Sequence, residues 1–376
     1  MKLFHLSDLH LGKRLNDFSL LEDQKHILTQ ILSMVRAERP NAVIIAGDIY
    51  DKAVPPAEAV ALFDDFLSRL SAACNSVFIV SGNHDSPERL AFGASLMEQS
   101  GVYLSPVYNG ALAPVTLSDE YGEVDFYLLP FVKPAHVRRF FPEQEIESSS
   151  DALSVALSGC PKNPDRRNVL IAHQLVLPGS GGEGAEVFIG SAENVDNSVF
   201  DGFDYVALGH LHVPHGVSRP TLRYCGSPIK YSFYEAKHEK TVTVLELLEP
   251  GHTELRELPL TPLHDMRELR GSYEELTLRQ SYENTKTDDY LRITLTDEED
   301  VPEALAKLRV IYPNLMQLLY DNSRTRAGVA VLNAEGSAER PPAELFAELY
   351  EKQNGAPMSS EQEELITRLI SEIWEV

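Results

Sequence analysis

Five short apolar runs in this chain end in residues that bind metals or move protons. Phe4-His5-Leu6 runs into Ser7-Asp8-Leu9-His10, and Val43-Ile44-Ile45-Ala46 into Gly47-Asp48-Ile49-Tyr50-Asp51. Phe78-Ile79-Val80 leads to Ser81-Gly82-Asn83-His84-Asp85, Val169-Leu170-Ile171-Ala172 to His173, and Val206-Ala207-Leu208 to Gly209-His210-Leu211-His212. Runs of this kind read as buried strands, and glycine at the turn lets the backbone come close. Imidazole and oxygen donors without thiolate suit Mn²⁺, Fe²⁺, Mg²⁺ or Zn²⁺ in an open site, not a closed structural zinc. One Asp after a strand is usually a cap or turn residue, and one buried His a satisfied polar group. Five strand ends finishing this way point instead to one shared centre. Two divalent ions roughly 3.5–4 Å apart can activate water and clamp a phosphoryl group. Such a pair needs a shared carboxylate, and Asp48 is the candidate bridge.

Asp8 and His10 are two apart, so an extended segment would put both side chains on one side. His84 follows Asn83 and is expected to stand beside the metals without binding them, protonating the leaving alkoxide. Asp51 is expected to hold His84 in the needed tautomer and raise its pKa.

The elements that must position these residues alternate along the chain. Helical spacing covers 18–39, and Pro55-Pro56 starts a second helix carrying Ala59, Leu62, Phe63, Phe66, Leu67 and Leu70. Such stripes usually face a core, and helices at a domain edge can also serve dimerisation. Strands punctuated by Asn109-Gly110 and Tyr121-Gly122 follow, then a polar stretch over 140–168. The glycine-rich segment 178–184 lacks a phosphate-loop Lys-Ser or Lys-Thr, so the chain itself holds no ATP site; the segment reads as a mobile flank of the centre. Residues 1–262 read as the catalytic domain and 263–332 as a small α+β cap that would bind DNA. Residues 333–376 read as a linker and two amphipathic segments, with Trp374 near the end, suited to a partner's groove.

Composition narrows the classes further. No run approaches the ~20 apolar residues of a membrane span, and the opening residues do not read as a signal peptide. Three scattered cysteines suit a reducing cytoplasm better than a disulfide framework. The net charge of −24 is awkward for a chain that grips nucleic acid alone. Lys13, Arg14, Lys230, Lys237 and Lys240 are the candidates for local phosphate contacts, although each taken alone is ordinary surface.

The five motifs, quoted as they stand, resemble those of the calcineurin-like metallophosphoesterases, and Leu6-Ser7-Asp8-Leu9-His10-Leu11-Gly12 is similar to their DNA-repair nuclease branch. The resemblance implies a four-layer α/β/β/α sandwich with a small cap. It assigns one ion to Asp8, His10, Asp48 and His212, and the other to Asp48, Asn83, His173 and His210. It further implies Mn²⁺-dependent 3′–5′ exonuclease action on duplex DNA and endonuclease action on single strands and hairpins. With that come a homodimer, an ATPase partner of the SbcC type, and a place in DNA end processing, repair, recombination and replication. Lys52-Ala53 after Asp51 departs from the Arg-Gly of the phosphatase branch, whereas Asp51 itself agrees with that branch. Two other readings stand beside the nuclease: a phosphatase or phosphodiesterase acting on small phosphoesters, and a DNA-end scaffold whose metal site no longer cuts.

Overall fold

The computed structural model describes residues 1–177 and 194–326, with scattered short stretches between 346 and 369. The glycine-rich segment, the linker and most of the two amphipathic segments, Trp374 included, lie outside the described residues. The chain divides into two compact units, Met1–Glu268 with Asp288–Leu291, and Leu269–Thr287 with Arg292–Val376. The break after Glu268 falls beyond residue 262, because the segment between is tied to the first unit. Lys230 Nζ bonds Asp265 at 2.8 Å, and Asp289 accepts from the Asp265 amide at 2.7 Å and from Arg267 at 2.6 Å.

The first unit begins with β1 (Lys2–Leu6), α1 (Leu21–Glu38), β2 (Ala42–Ala46), α2 (Ala57–Ser71), β3 (Ser76–Val80) and β4 (Val102–Leu104). Helix α1 starts at Leu21 because Phe18–Ser19 pairs with Arg14–Leu15 in a small hairpin. Acidic Glu22 and Asp23 in its first turn and Arg36 in its last suit the helix dipole. Proline's fixed φ at Pro55-Pro56 prepares the start of α2. Next come β5 (Val115–Asp119), β6 (Gly122–Leu129), α3 (Ser149–Ser158), β7 (Arg167–His173), β8 (Tyr205–Gly209), β9 (His215–Val217) and β10 (Arg219–Tyr224). Finally β11 (Thr241–Leu247) and β12 (Thr253–Pro259) return to the first sheet beside β1.

The strand orders are β12-β11-β1-β2-β3-β4 and β9-β10-β8-β7-β6-β5. Pairing is parallel from β1 through β4 and among β6, β7, β8 and β10, so the strands that carry the motifs point their C-terminal ends to one edge of each sheet. Alternation then sorts the side chains into layers. Leu3, Ala42, Ile44, Phe78 and Val80 of the first sheet pack against Phe126, Leu128, Val169, Ile171 and Ala207 of the second. Phe78 and Phe126 stack across this interface with centroids 4.3 Å apart. The other face of the second sheet, with Tyr127, Leu129, Leu170 and Leu208, receives Leu153, Ala156 and Leu157 of α3. Helix α2 packs on α1 and on β3. The result is the expected four-layer α/β/β/α sandwich. No helix among the described residues is long and apolar enough to cross a membrane.

The second unit holds the remainder of a three-stranded sheet, β13 (Met266–Gly271), β14 (Tyr290–Leu295) and β15 (Leu315–Tyr320), in that order. A capping box between Ser272 and Glu275 opens helix α4 (Tyr273–Thr277), and α5 (Ala304–Arg309) covers the sheet residues with Leu308. Ile293, Leu295, Leu308, Tyr312 and Leu315 are among its buried apolar residues. The strand–helix–strand order read from the sequence is present, with a shorter helix.

Candidate metal centre

Ligand-type residues follow the C-terminal ends of β1, β2, β3, β7 and β8, where the two sheets meet. The loops after β1 and β2 run side by side. Asp8 N donates to Gly47 O at 3.0 Å, His10 N to Asp48 O at 2.9 Å and Leu11 N to Ile49 O at 2.9 Å. Asp8 (φ 53°), His10 (42°), Asp48 (51°) and His210 (110°) lie at positive φ, where side chains are disfavoured. The segment Asp8–His10 is therefore not extended. Left-handed turns, held by these cross-loop bonds, bring both side chains to the centre, and such strain gathers at functional sites.

The expected ligands come together. His10 Nε2 and His212 Nε2 face each other at 3.2 Å, each 3.9 Å from Asp8 Oδ1. Asp48 Oδ2 lies 3.5 Å from His10 Nε2 and 3.4 Å from His173 Nε2, between the two groups. Asn83 Oδ1 is 3.0 Å from His173 Nε2 and 3.2 Å from His210 Nδ1. Donors bound at ~2.0–2.2 Å from a common ion lie at about such separations from one another, and the mixed nitrogen and oxygen donors suit a divalent cation. Asp8, His10, Asp48 and His173 are buried, Asn83 is exposed and His210 and His212 are half-buried, so the centre has a buried floor and an open mouth.

The supporting contacts fix this geometry. His173 Nδ1–H donates to Ala46 O at 2.8 Å, which leaves Nε2 as the donor atom toward Asp48 and Asn83. Asp85, for which the sequence suggests no role, is buried and accepts from the amides of Ile49 (3.1 Å), Tyr50 (3.0 Å) and Gly82 (2.9 Å), tying the β2 and β3 loops together. Asp48 Oδ1 accepts from His84 N at 2.9 Å. At Gly47 (φ 86°) a Cβ would sit 2.4 Å from His173 Nδ1, so only glycine allows this approach.

Charge is concentrated here. Burial opposes a charge on His173, but the Asp48 carboxylate outweighs it and raises its pKa to about 9. Burial would likewise raise Asp48, yet the charge and hydrogen bond of His173 hold it below the usual carboxylate range. Burial, aided by the charge of His173, lowers His210 to about 4, and burial keeps His10 well below its ordinary value. Burial, then the nearby Asp48 charge, raises Asp85 to about 6.

Two expectations need correction. His84 Nδ1–H donates to the main-chain carbonyl of Asp51 at 2.9 Å, not to its carboxylate. That carboxylate bonds Lys13 Nζ at 2.7 Å, because a side chain three residues past Asp48 turns back toward the β1 loop. Lys240 is no surface phosphate contact either. It is buried, with Nζ on Glu235 Oε2 at 2.5 Å. Lys230 is taken up by Asp265 and Ala236 O, whereas Arg14 and Lys237 are exposed and Lys13 stands beside the centre. His84 also comes close to the ligands, its side chain grouping with His10 and Asp48 within 4.8 Å.

Residues 1–214 match the family model of the calcineurin-like phosphoesterases. This chain belongs to that family. It is accordingly a phosphoester hydrolase that works with divalent metal ions. Residues 262–354 match a C-terminal domain described as that of a type 5 capsule protein repressor. A Staphylococcus epidermidis protein named as the SbcD subunit of the nuclease SbcCD is 31% identical over 99% of this chain and 98% of its own length. A protein of the same name from Staphylococcus saprophyticus is 34% identical over 85% of this chain and 84% of its own. A solved dimetal phosphatase from Danio rerio aligns at 13% identity over 69% of this chain and 98% of its own, with a TM-score of 0.37, too slight a likeness to bear on function.

Proposed function

We propose that this phosphoesterase is the nuclease subunit of an SbcCD-type complex, cutting phosphodiester bonds at DNA ends and hairpins. The observation that carries the reading is the convergence of Asp8, His10, Asp48, Asn83, His173, His210 and His212 in a chain that aligns almost end to end with a relative of that name. Asp8, His10, Asp48 and His212 would hold one ion, and Asp48, Asn83, His173 and His210 the other, with Mn²⁺ the favoured metal and Mg²⁺ or Fe²⁺ as substitutes. When bound, the ions supply the Lewis acidity that activates water and draws charge off the phosphoryl oxygens.

The remaining work belongs to the protein. The Asp51 carbonyl holds His84 Nδ1–H, so Nε2 is the atom that hands a proton to the leaving alkoxide. Lys13, paired with Asp51 at the rim, is a cation within reach of a phosphate, and Arg14 and Lys237 extend that reach along DNA. The cutting modes are 3′–5′ on duplex ends and endonucleolytic on single strands and hairpins. An SbcC-type ATPase would gate access and contribute the DNA affinity that a charge of −24 withholds. Exposed Phe92 and Met97, which line one cavity with Val60, and exposed Leu96 beside them in sequence support a homodimer through this surface. Free, buried Cys74, Cys160 and Cys225 agree with a cytoplasmic setting.

The test is an assay of the Mn²⁺-loaded chain, with and without the partner ATPase, on linear duplex DNA with free and blocked ends and on bis-p-nitrophenyl phosphate. Digestion of free-ended duplex supports the nuclease. Hydrolysis of the small diester alone, under every condition, would replace it with a small-phosphoester hydrolase.

A further inference from the structure

We propose that Glu235 and Lys240 form a buried positioning pair that sets the affinity of the ion held by Asp8, His10 and His212, making the two metal positions unequal. The inference rests on the two-ion reading above and adds residues and a difference that the motifs do not contain.

His212 reaches the centre through Nε2, and its other nitrogen, Nδ1–H, donates to Glu235 Oε1 at 3.2 Å. Glu235 closes a 3-10 turn (Phe233–Glu235) whose start is capped by the Ser232 side chain. Its carboxylate is tightly held. Oε2 accepts from Lys240 Nζ at 2.5 Å, and Oε1 also from the Tyr231 amide at 3.3 Å. Lys240 Nζ donates besides to Ser227 Oγ at 2.9 Å and to the His212 main-chain carbonyl at 2.8 Å. One ammonium thus grips both the carboxylate behind the His212 ring and the backbone that carries the ring. Both Glu235 and Lys240 are 6% exposed, and desolvated ions of this kind persist only in fixed, satisfied geometry.

The other imidazoles of the centre have no hydrogen-bonded carboxylate behind them. His173 Nδ1–H meets a neutral main-chain carbonyl, that of Ala46. His10 Nδ1 is buried without a hydrogen-bond partner, the Asp51 carboxylate standing off at 3.9 Å, and His210 turns its Nδ1 toward Asn83. A carboxylate behind a ligating imidazole fixes its tautomer and makes it a stronger donor, and its loss typically weakens metal binding about 10–100-fold. The His212 side of the centre therefore has a carboxylate support for its ion that the neighbouring side lacks.

The test is Mn²⁺ titration by calorimetry, with electron paramagnetic resonance to tell single from paired ions, on the full chain and its Glu235→Gln and Glu235→Asp variants. Glu235→Asp keeps an anion for Lys240 but withdraws it from His212, which guards against a variant that fails to fold. The expected result is two ions in the native chain. In both variants one ion weakens ~10–100-fold, the other is unchanged, and the metal-free melting temperature of Glu235→Asp stays native. His212→Ala should remove the same ion, and combining it with Glu235→Asp should cost no more. A native chain taking up fewer than two ions would overturn the reading this inference rests on. Two ions in the native chain and native affinities in both variants would overturn the pair's role. Loss of both ions together with a lower metal-free melting temperature would do so too, leaving the pair as part of the fold alone.

Discussion

At the scale of single residues, proton placement separates binding from chemistry. His84 touches the Asp51 carbonyl through Nδ1 and Asp48 through its amide, whereas the ligand contacts among Asp8, Asp48, His173 and Asn83 do not involve it. His84→Gln should therefore keep two Mn²⁺ ions by calorimetry while turnover of duplex DNA falls about 10²–10⁴-fold, the usual worth of a positioned general acid. Loss of metal along with turnover would make His84 a ligand instead. Asp51→Asn leaves the carbonyl bond to His84 intact and removes the charge that faces Lys13 at 2.7 Å and His10 Nδ1 at 3.9 Å, so it should affect turnover far less than His84→Gln. A second consequence concerns pH. His173 carries a proton up to about pH 9 because Asp48 outweighs its burial, and an ion must displace that proton. Metal affinity should then fall as pH drops below about 9. Calorimetry near pH 7 in two buffers of different ionisation enthalpy should register release of about one proton from this group; no buffer dependence would refute it.

At the scale of elements, the sandwich edge was legible because each strand announces its own end. An apolar run followed by a ligand is a local pattern, and parallel pairing carries those ends to one edge without further instruction. What lies beyond the strands is decided by distant partners. Asp8 and His10 look extended in isolation, and only the bonds to Gly47 and Asp48 turn them left-handed. Lys240 looks like surface until Glu235 and Ser227 surround it. Helix α3 hides in a polar stretch, although the Ser148–Asp151 capping box followed by Ala152, Leu153, Ala156 and Leu157 is a helix signal that can be read. The closeness of the strand ends is itself testable. A Cβ on Gly209 would fall 1.8 Å from Ala46 O and 2.6 Å from His173 Nδ1. Gly209→Ala must push β8 off β2, so the melting temperature should drop and ion uptake with it; native values for both would contradict the packing. The exposed face by α2 makes a separate prediction. Phe92 and Leu96 are 83% and 73% exposed. If they seat a second copy, Phe92→Glu with Leu96→Glu should turn a dimer into a monomer in sedimentation velocity and leave hydrolysis of bis-p-nitrophenyl phosphate unchanged.

At the scale of the whole molecule, charge argues for divided labour. Neutralising phosphates drives DNA binding, and 57 acidic against 33 basic residues work against it everywhere except near local cations. Of the lysines and arginines that the sequence offers for that purpose, Lys230 and Lys240 are spent on internal carboxylates, which leaves Lys13, Arg14 and Lys237. Three such cations are few against that background, so on the proposed reading the partner supplies the grip and this chain the chemistry. The segment best suited to join them is 343–376, where the sequence spacing of Leu365, Ile366, Leu369, Ile370, Ile373 and Trp374 is the one an apolar helical stripe would need. Because the metal ligands all lie between Asp8 and His212, removing residues 343–376 should leave two-ion uptake and small-diester hydrolysis at native levels. The same truncation should abolish co-purification with the ATPase and, with it, duplex cleavage at ~0.15 M salt, where surface electrostatics are screened within about 8 Å. A truncated chain that still assembles and still cuts would move the partner contact elsewhere and return DNA binding to this chain.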